Sequence, residues 1–236
     1  MTENSGPKIA SDSADDNAGH RARLRDRMLG RGGEALSDHE LIEYLLALAI
    51  PRRDTKPLAK ALLREFGGIG PLMSADPESL TRVSGMGEAS AAAVKIAHAC
   101  ALRTLLGEVQ NRPILGNWQG LLDYLRADMA FRINERVRVL HLDSRNHLIR
   151  DEVVSDGSID QSAIYVREVV RRALDLGSAA IILVHNHPSG DANPSKQDIA
   201  LTREIADACK RLGIALHDHI IIGRTGHVSL RTQGLI

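Results

Sequence analysis

The stretch HNHPSGDANPSKQD, His185 to Asp198, sets two imidazoles and a carboxylate where they could share one cation. It follows directly on the apolar run AAIILV. Alternate residues of a strand point to the same side, so His185 and His187 at the end of such a run can aim at one point. Pro188 cannot extend a β-ladder, and SGDANP reads as a compact polar loop. Asn193-Pro194-Ser195 then opens a helix, with Asp198 in its first turn. Two imidazoles and one carboxylate leave a fourth tetrahedral position for water, the pattern of catalytic rather than structural zinc. Taken singly, the pieces have blander readings. An H-x-H pair occurs in ordinary polar turns, and an aspartate near a helix start often only offsets the helix dipole. A nucleic-acid contact is a third reading of the loop. The segment LHDHII offers a second cluster, His217, Asp218 and His219. Alternation puts His217 and His219 on one strand face. The favoured reading is a structural or orienting hydrogen bond from Asp218 or His219, with direct ligation as the alternative. His141, His147 and His227 read as surface or strand histidines.

The elements around these residues alternate in type. NWQGLLDYLRADMA predicts a helix, ERVRVLHLD an alternating strand with Val137, Val139 and His141 on one face, and HLIRDEVVS its hairpin partner. DQSAIYVREVVRRALDLG predicts a helix ended by Gly177. SAAIILV predicts a strand buried on both faces, and SKQDIALTREIADACKRLG a helix ended by Gly213. IALHDHIIIG and GHVSLRTQ predict two strands joined by RTG. Helices packed on a mixed sheet follow, an α/β domain over residues 118–236.

Upstream the pattern is helical. Ser37, with Glu40 three residues on, predicts a capping box before Leu41, Tyr44, Leu45 and Leu48 at helical spacing. TKPLAKALLREF ends at Gly67-Gly68, Asp76-Pro77 caps DPESLTRV, and GEASAAAVKIAHACALRTLL gives a long last helix. Residues 1–19 read as a disordered tail, 20–110 as an all-helical domain and 111–117 as a linker. In LTRVSGMGEASAAAVKIA, the turn Gly85-Met86-Gly87 resembles a helix–hairpin–helix, whose backbone donors can hold a phosphate. Gly85, Gly87, Arg21 and Arg23 are the candidate nucleic-acid contacts. Against this, Glu88 opens the following helix, and residues 20–110 carry thirteen Lys/Arg against eleven Asp/Glu. That is too small an excess for more than weak DNA affinity without sequence preference. The alternative is a protein-docking or packing role.

Composition excludes several classes. Formal net charge is zero, so no global field recruits nucleic acid or lipid. Six aromatic residues leave little for stacking single-stranded bases. Cys100 and Cys209 each sit in an apolar helical pattern and read as buried thiols, outside any disulfide framework. No apolar stretch reads as a membrane span, and MTENSGPKIASDSADDNAG has neither basic start nor apolar core. A reduced cytoplasmic setting is expected, with no membrane partner.

HNHPSGDANPSKQD resembles the JAMM motif of MPN/JAB-domain metalloproteases: H-x-H-P, six residues, Ser, two residues, Asp. Asn186 stands where Ser or Thr is usual, a version seen in the bacterial RadC-like family. GEALSDHELIEYLL, RVSGMGEASAAAVKIA, ERVRVLHLDSRNHLI and IALHDHIIIG resemble blocks of that family in the same order, over residues 20–236. The resemblance implies a cytidine-deaminase-like MPN/JAB α/β fold after a small helix–hairpin–helix-like domain. It implies one zinc per chain on His185, His187 and Asp198, and hydrolysis of an amide bond in a protein or peptide substrate. Glu135, opening ERVRVLHLD, matches the general base, and Ser195 the motif serine that stabilises the oxyanion. Glu168, in YVREVV, is the rival base. The alternative function is a DNA-binding repair or recombination accessory whose zinc domain is a scaffold without turnover. Base deamination is excluded, because it needs H-x-E and C-x-x-C, and neither occurs.

Overall fold

The computed structural model describes residues 12–157 and 165–236. The chain divides into two compact units, Met1–His98 and Ala99–Ile236.

The first unit is helical: α1 (Asp12–Arg31), α2 (Asp38–Ala49), α3 (Lys56–Phe66), α4 (Ile69–Ser74), α5 (Pro77–Arg82) and the start of α6 (Glu88–Gln110). α1 begins inside the segment 1–19 expected to be disordered; residues 1–11 lie outside the described residues. The expected capping box forms at α2, where the Ser37 N–H donates to Glu40 Oε2 at 2.9 Å. α3 ends at Gly67, whose φ of 80° is costly for a residue with a Cβ. The six-residue helix α4, in IGPLMS, was not anticipated: its Gly and Pro mask a short apolar turn that buries Leu72. The core gathers Ile42, Leu46, Leu58, Leu62, Leu72, Leu80 and Val94. α6 is long enough, at a mean hydropathy of 1.2, to pass as a membrane span, contrary to the expectation that none would. Its buried residues serve cores instead, Ala91 and Val94 in this unit and Val109 in the other. Cys100 on the same helix is exposed, whereas Cys209 is buried; the apolar neighbours of Cys100 sit on a face that the fold leaves to solvent.

The second unit holds the end of α6, then α7 (Trp118–Met129), β1 (Glu135–Leu142), β2 (Leu148–Gly157), α8 (Val166–Asp175), β3 (Ala180–Asn186), α9 (Lys196–Arg211), β4 (Ala215–Ile222) and β5 (His227–Ser229). Residues 160–164, expected to open α8, lie outside the described residues. The sheet order is β2-β1-β3-β4-β5, mixed, with β3 and β4 parallel across the α9 connection and the other pairs antiparallel. Val139, Ile181 and Leu183 face α8 and α9, packing on Val169, Ala173, Ile205 and Cys209. Leu140, Leu142, Ile182 and Val184 face α7 and the end of α6, packing on Leu121, Leu125 and Val109. Helices therefore cover both faces, and β3 is buried along its whole length. β5 is shorter than expected, because Leu230 turns inward to full burial and its N–H bonds His219 O.

β4 carries a bulge. Ile181 pairs with Leu216 but Ile182 pairs with Asp218, leaving His217 between them. Leu216 accordingly joins one core, while Ile220 and Ile222 join the other. The extra residue breaks the alternation that would have set His217 beside His219.

Candidate metal centre

His185 lies on the β3 face that Ile181 and Leu183 turn towards α8 and α9. His187, two residues on, keeps that side, and Asp198 sits at the third position of α9. One ligand atom from each of the three lies within 4.8 Å of the others. His185 Nε2 is 2.9 Å from His187 Nε2 and 3.5 Å from Asp198 Oδ1, and His187 Nε2 is 3.6 Å from Asp198 Oδ2.

Hydrogen bonds settle where the ring protons sit. The Asp191 carbonyl can only accept, so His187 Nδ1, at 2.7 Å from it, is protonated. The Thr202 hydroxyl donates to the Asp198 carbonyl. That uses its one hydrogen, so His219 Nδ1, 2.6 Å away, must donate to Thr202 Oγ1. Burial holds His219 well below its ordinary pKa, hence neutral, so its Nε2 accepts. His185 Nδ1, at 2.8 Å, is then the donor. Each ring thus turns its Nε2 to the common point, and in neutral His185 that nitrogen carries a lone pair. The two nitrogens, 2.9 Å apart, need a cation or a proton between them. The donor set thus fits a borderline metal such as zinc, which takes neutral imidazole and carboxylate.

The electrostatics agree with that geometry. Burial pushes His185 down to about 4, outweighing the attraction of Asp198, so the ring is neutral at physiological pH. His187 is raised, first by its hydrogen bond with Asp198. Burial would raise Asp198, but His187 and the Ser195 hydroxyl, with help from His185 and the Ser195 N–H, hold it well below the carboxylate range.

Ser195 is the N-cap of α9. Its Oγ accepts the Asp198 N–H at 3.1 Å, and its own N–H donates to Asp198 Oδ2 at 2.7 Å. This box orients the carboxylate and sets the Ser195 hydroxyl against it. Glu135 opens β1, half-buried, and its carboxyl is raised by burial and by Asp198 while His187 opposes the shift. It therefore stands beside the triad. Glu168 is on exposed α8 surface, paired with Arg171 at 3.0 Å, and does not join the site.

Three contributing residues escaped the sequence reading. Asn186, between the two histidines and 1% exposed, accepts the Arg136 N–H at 2.9 Å and donates to the Asn134 carbonyl at 3.1 Å. It clamps the chain on either side of Glu135. No local pattern signals this. Thr202 stands four residues after Asp198 on the same helix face, a spacing that could have been noticed. Gly223 lets the loop after His187 close in, since a Cβ there would lie 2.6 Å from Gly190 O.

The second cluster divides. His219 orients His185. Asp218 takes Ser229 Oγ at 2.5 Å and the Arg231 N–H at 3.1 Å, a structural role. His217 is displaced by the bulge to Asn146, at 2.6 Å. His141, read as a surface or strand histidine, is a strand one, fully buried in β1 beside Ser178.

In the helical unit, Arg21 donates to the carbonyls of Ile50, Pro51 and Arg53, closing the end of α2 instead of facing solvent as a phosphate contact. Arg23 is exposed. At the hairpin turn the Met86 N–H goes to Val83 O and the Gly87 N–H to Ser90 Oγ, so two of the turn's donors are already bonded. Gly85, with φ of 99°, lies under the Arg53 guanidinium.

Comparison with known proteins places both units. The RadC-like JAB domain family matches residues 115–235. The UPF0758 N-terminal family matches residues 17–92. A UPF0758 protein of Rhodobacter capsulatus is 49% identical over 213 residues, covering 90% of this chain and 100% of its own length. With the fold and the matched segments in agreement, the chain belongs to the RadC-like family of JAB-domain proteins that carry a UPF0758 N-terminal region.

Proposed function

We propose that this chain is a zinc-dependent hydrolase of the JAMM type, cutting a peptide or isopeptide amide bond in a protein or peptide substrate. One observation carries the reading: two imidazole Nε2 atoms, each ring held by a hydrogen bond at Nδ1, converge with a carboxylate on one point. JAB domains can bind zinc, which supports assigning one ion per chain to His185, His187 and Asp198. Zinc held there would supply Lewis acidity and a water whose pKa falls towards ~7. Glu135 is the proton carrier. Its raised carboxyl takes a proton and returns it to the leaving nitrogen. The Ser195 hydroxyl, positioned by the Asp198 N–H, turns its proton from the carboxylate to a developing oxyanion. The free thiols of Cys100 and Cys209 suit a reducing cytoplasm.

Metal analysis tests the first step: about one zinc per chain is expected, and none in the double variant His185→Ala, His187→Ala. A Glu135→Gln variant should keep the metal, lose turnover and trap bound protein substrates for identification. Full activity in that variant removes Glu135 from the mechanism. The competing reading, a repair accessory with a non-catalytic zinc scaffold, requires salt-dependent binding of duplex DNA. Arg21 and Gly87, two of the residues named for that contact, already bond within the fold.

A further inference from the structure

Several cations of the helical unit are bonded within it, and others are exposed without a side-chain bond among the described residues. Arg21 is bonded to carbonyls, Arg27 to Glu40, Arg82 to Glu78 and Lys95 to the carbonyls of Met73 and Ala75. Lys60 and Arg64 are exposed and make no ion pair or side-chain hydrogen bond among the described residues. They stand one turn apart on α3 and line an open groove of about 460 Å³ with Pro57, Leu63 and, from the first turn of α2, His39. Lys56 extends the same row by another turn. The His39 ring is held by its Nδ1 at 2.9 Å from Ser37 Oγ.

Among the described residues no carboxylate lines this groove. Its floor is Pro57, Leu63 and the methylene stems of the two cations, which commonly cover apolar surface while the charged heads stay in water. Such a place suits a ligand with two features: negative charge at the rim and one apolar group for the floor. A free anion satisfies only the rim. A duplex presents phosphates and sugars but no apolar side chain to enter a concave floor. A peptide with carboxylates flanking a Leu, Phe or Trp satisfies both, in the manner of an amphipathic segment laid in a groove.

We propose that the α2–α3 groove is a docking site for an acidic peptide segment with one apolar anchor, making the helical unit a protein-recruiting module. The proposal stands apart from the hydrolase reading, because none of its residues belongs to the metal centre. The test uses the full chain and a displayed library of random dodecapeptides. The enriched pool should be rich in Asp and Glu around a large apolar residue. Binding of that pool should fall by about tenfold or more, over 1.4 kcal/mol, in Lys60→Glu, Arg64→Glu. Both positions are exposed, and an unchanged thermal unfolding curve confirms that the variant folds. Leu63→Ser should weaken the same pool at unchanged charge. Failure to enrich any pool overturns the proposal, as does a pool without acidic bias or one indifferent to the charge reversal. Duplex DNA binding that is lost in the same double variant also overturns it, assigning the groove to nucleic acid.

Discussion

His219 touches no point where a cation would sit, yet it decides which nitrogen of His185 is free to bind one. It accepts the Nδ1 proton of His185 and passes its own to Thr202, which closes on the backbone of Asp198. Two candidate ligands are thereby tied through a shared layer of hydrogen bonds. Replacing His219 by Phe removes the acceptor, and zinc affinity should fall roughly 10–100-fold, read by competition with a chromophoric chelator. His219→Gln, which can still accept, should recover part of that loss. Asn186 acts on the opposite side of the site. Asn186→Ala removes the partner of the half-buried Arg136 N–H and of the more exposed Asn134 carbonyl. Stability should drop by about 1 kcal/mol for the lost hydrogen bonds, measured by denaturant unfolding, while zinc content stays at the wild-type level. Loss of metal in that variant would mean that Asn186 supports the ligands rather than the strand carrying Glu135.

At the scale of elements, the site depends on how α9 begins and how closely the preceding loop packs. Gly223 has no left-handed backbone to justify it; its importance is steric, because a Cβ would also come within 3.0 Å of the Ala192 N–H nitrogen. Gly223→Ala should push the loop carrying His187 outward, costing about 1–3 kcal/mol as overpacking does and weakening zinc in the same chelator competition. In the helical unit, Glu40 serves both the capping box and Arg27, which with the Ser37 N–H holds its carboxyl at about 2, below an ordinary 4.5. Because the folded pKa is the lower one, its contribution is full above about pH 4.5 and disappears as pH falls through 2. The pair is partly solvated, so the loss should be about 1 kcal/mol, visible as a shallower acid transition in Glu40→Gln. Both helix starts were legible in the sequence, since a capping box is a local pattern. The bulge at His217 was not, because one extra residue in a strand leaves no composition mark and reverses only the facing of what precedes it. The carbonyl contacts of Arg21 were not legible for a related reason: an arginine shows its bonding only when the carbonyls around thirty residues away come into place.

For the whole molecule, the two compact units meet in sequence at His98 and Ala99, in the middle of α6 rather than in the Pro- and Gly-marked stretch after it. Composition changes where helix gives way to loop, but cores are assembled from side chains irrespective of that change. Val109, on the last turn of α6, is 1% exposed, and Ile114, in the stretch read as a linker, is fully buried; both pack in the α7-side core. Leu105 and Leu106 pack against the same core. A fragment of residues 118–236 therefore lacks two core side chains and uncovers Leu121 and Leu125 beneath them. Burying an aliphatic side chain of this size contributes about 1.5–3 kcal/mol, so the shorter fragment should be less stable than residues 99–236 by several kcal/mol. Thermal unfolding of the two fragments checks this, and zinc uptake gives a second readout. The longer fragment should bind about one ion with wild-type affinity, because every group that touches or orients the candidate ligands lies within it. Equal stability of the two fragments would mean that Val109 and Ile114 are dispensable to the core, and would return the boundary to the linker.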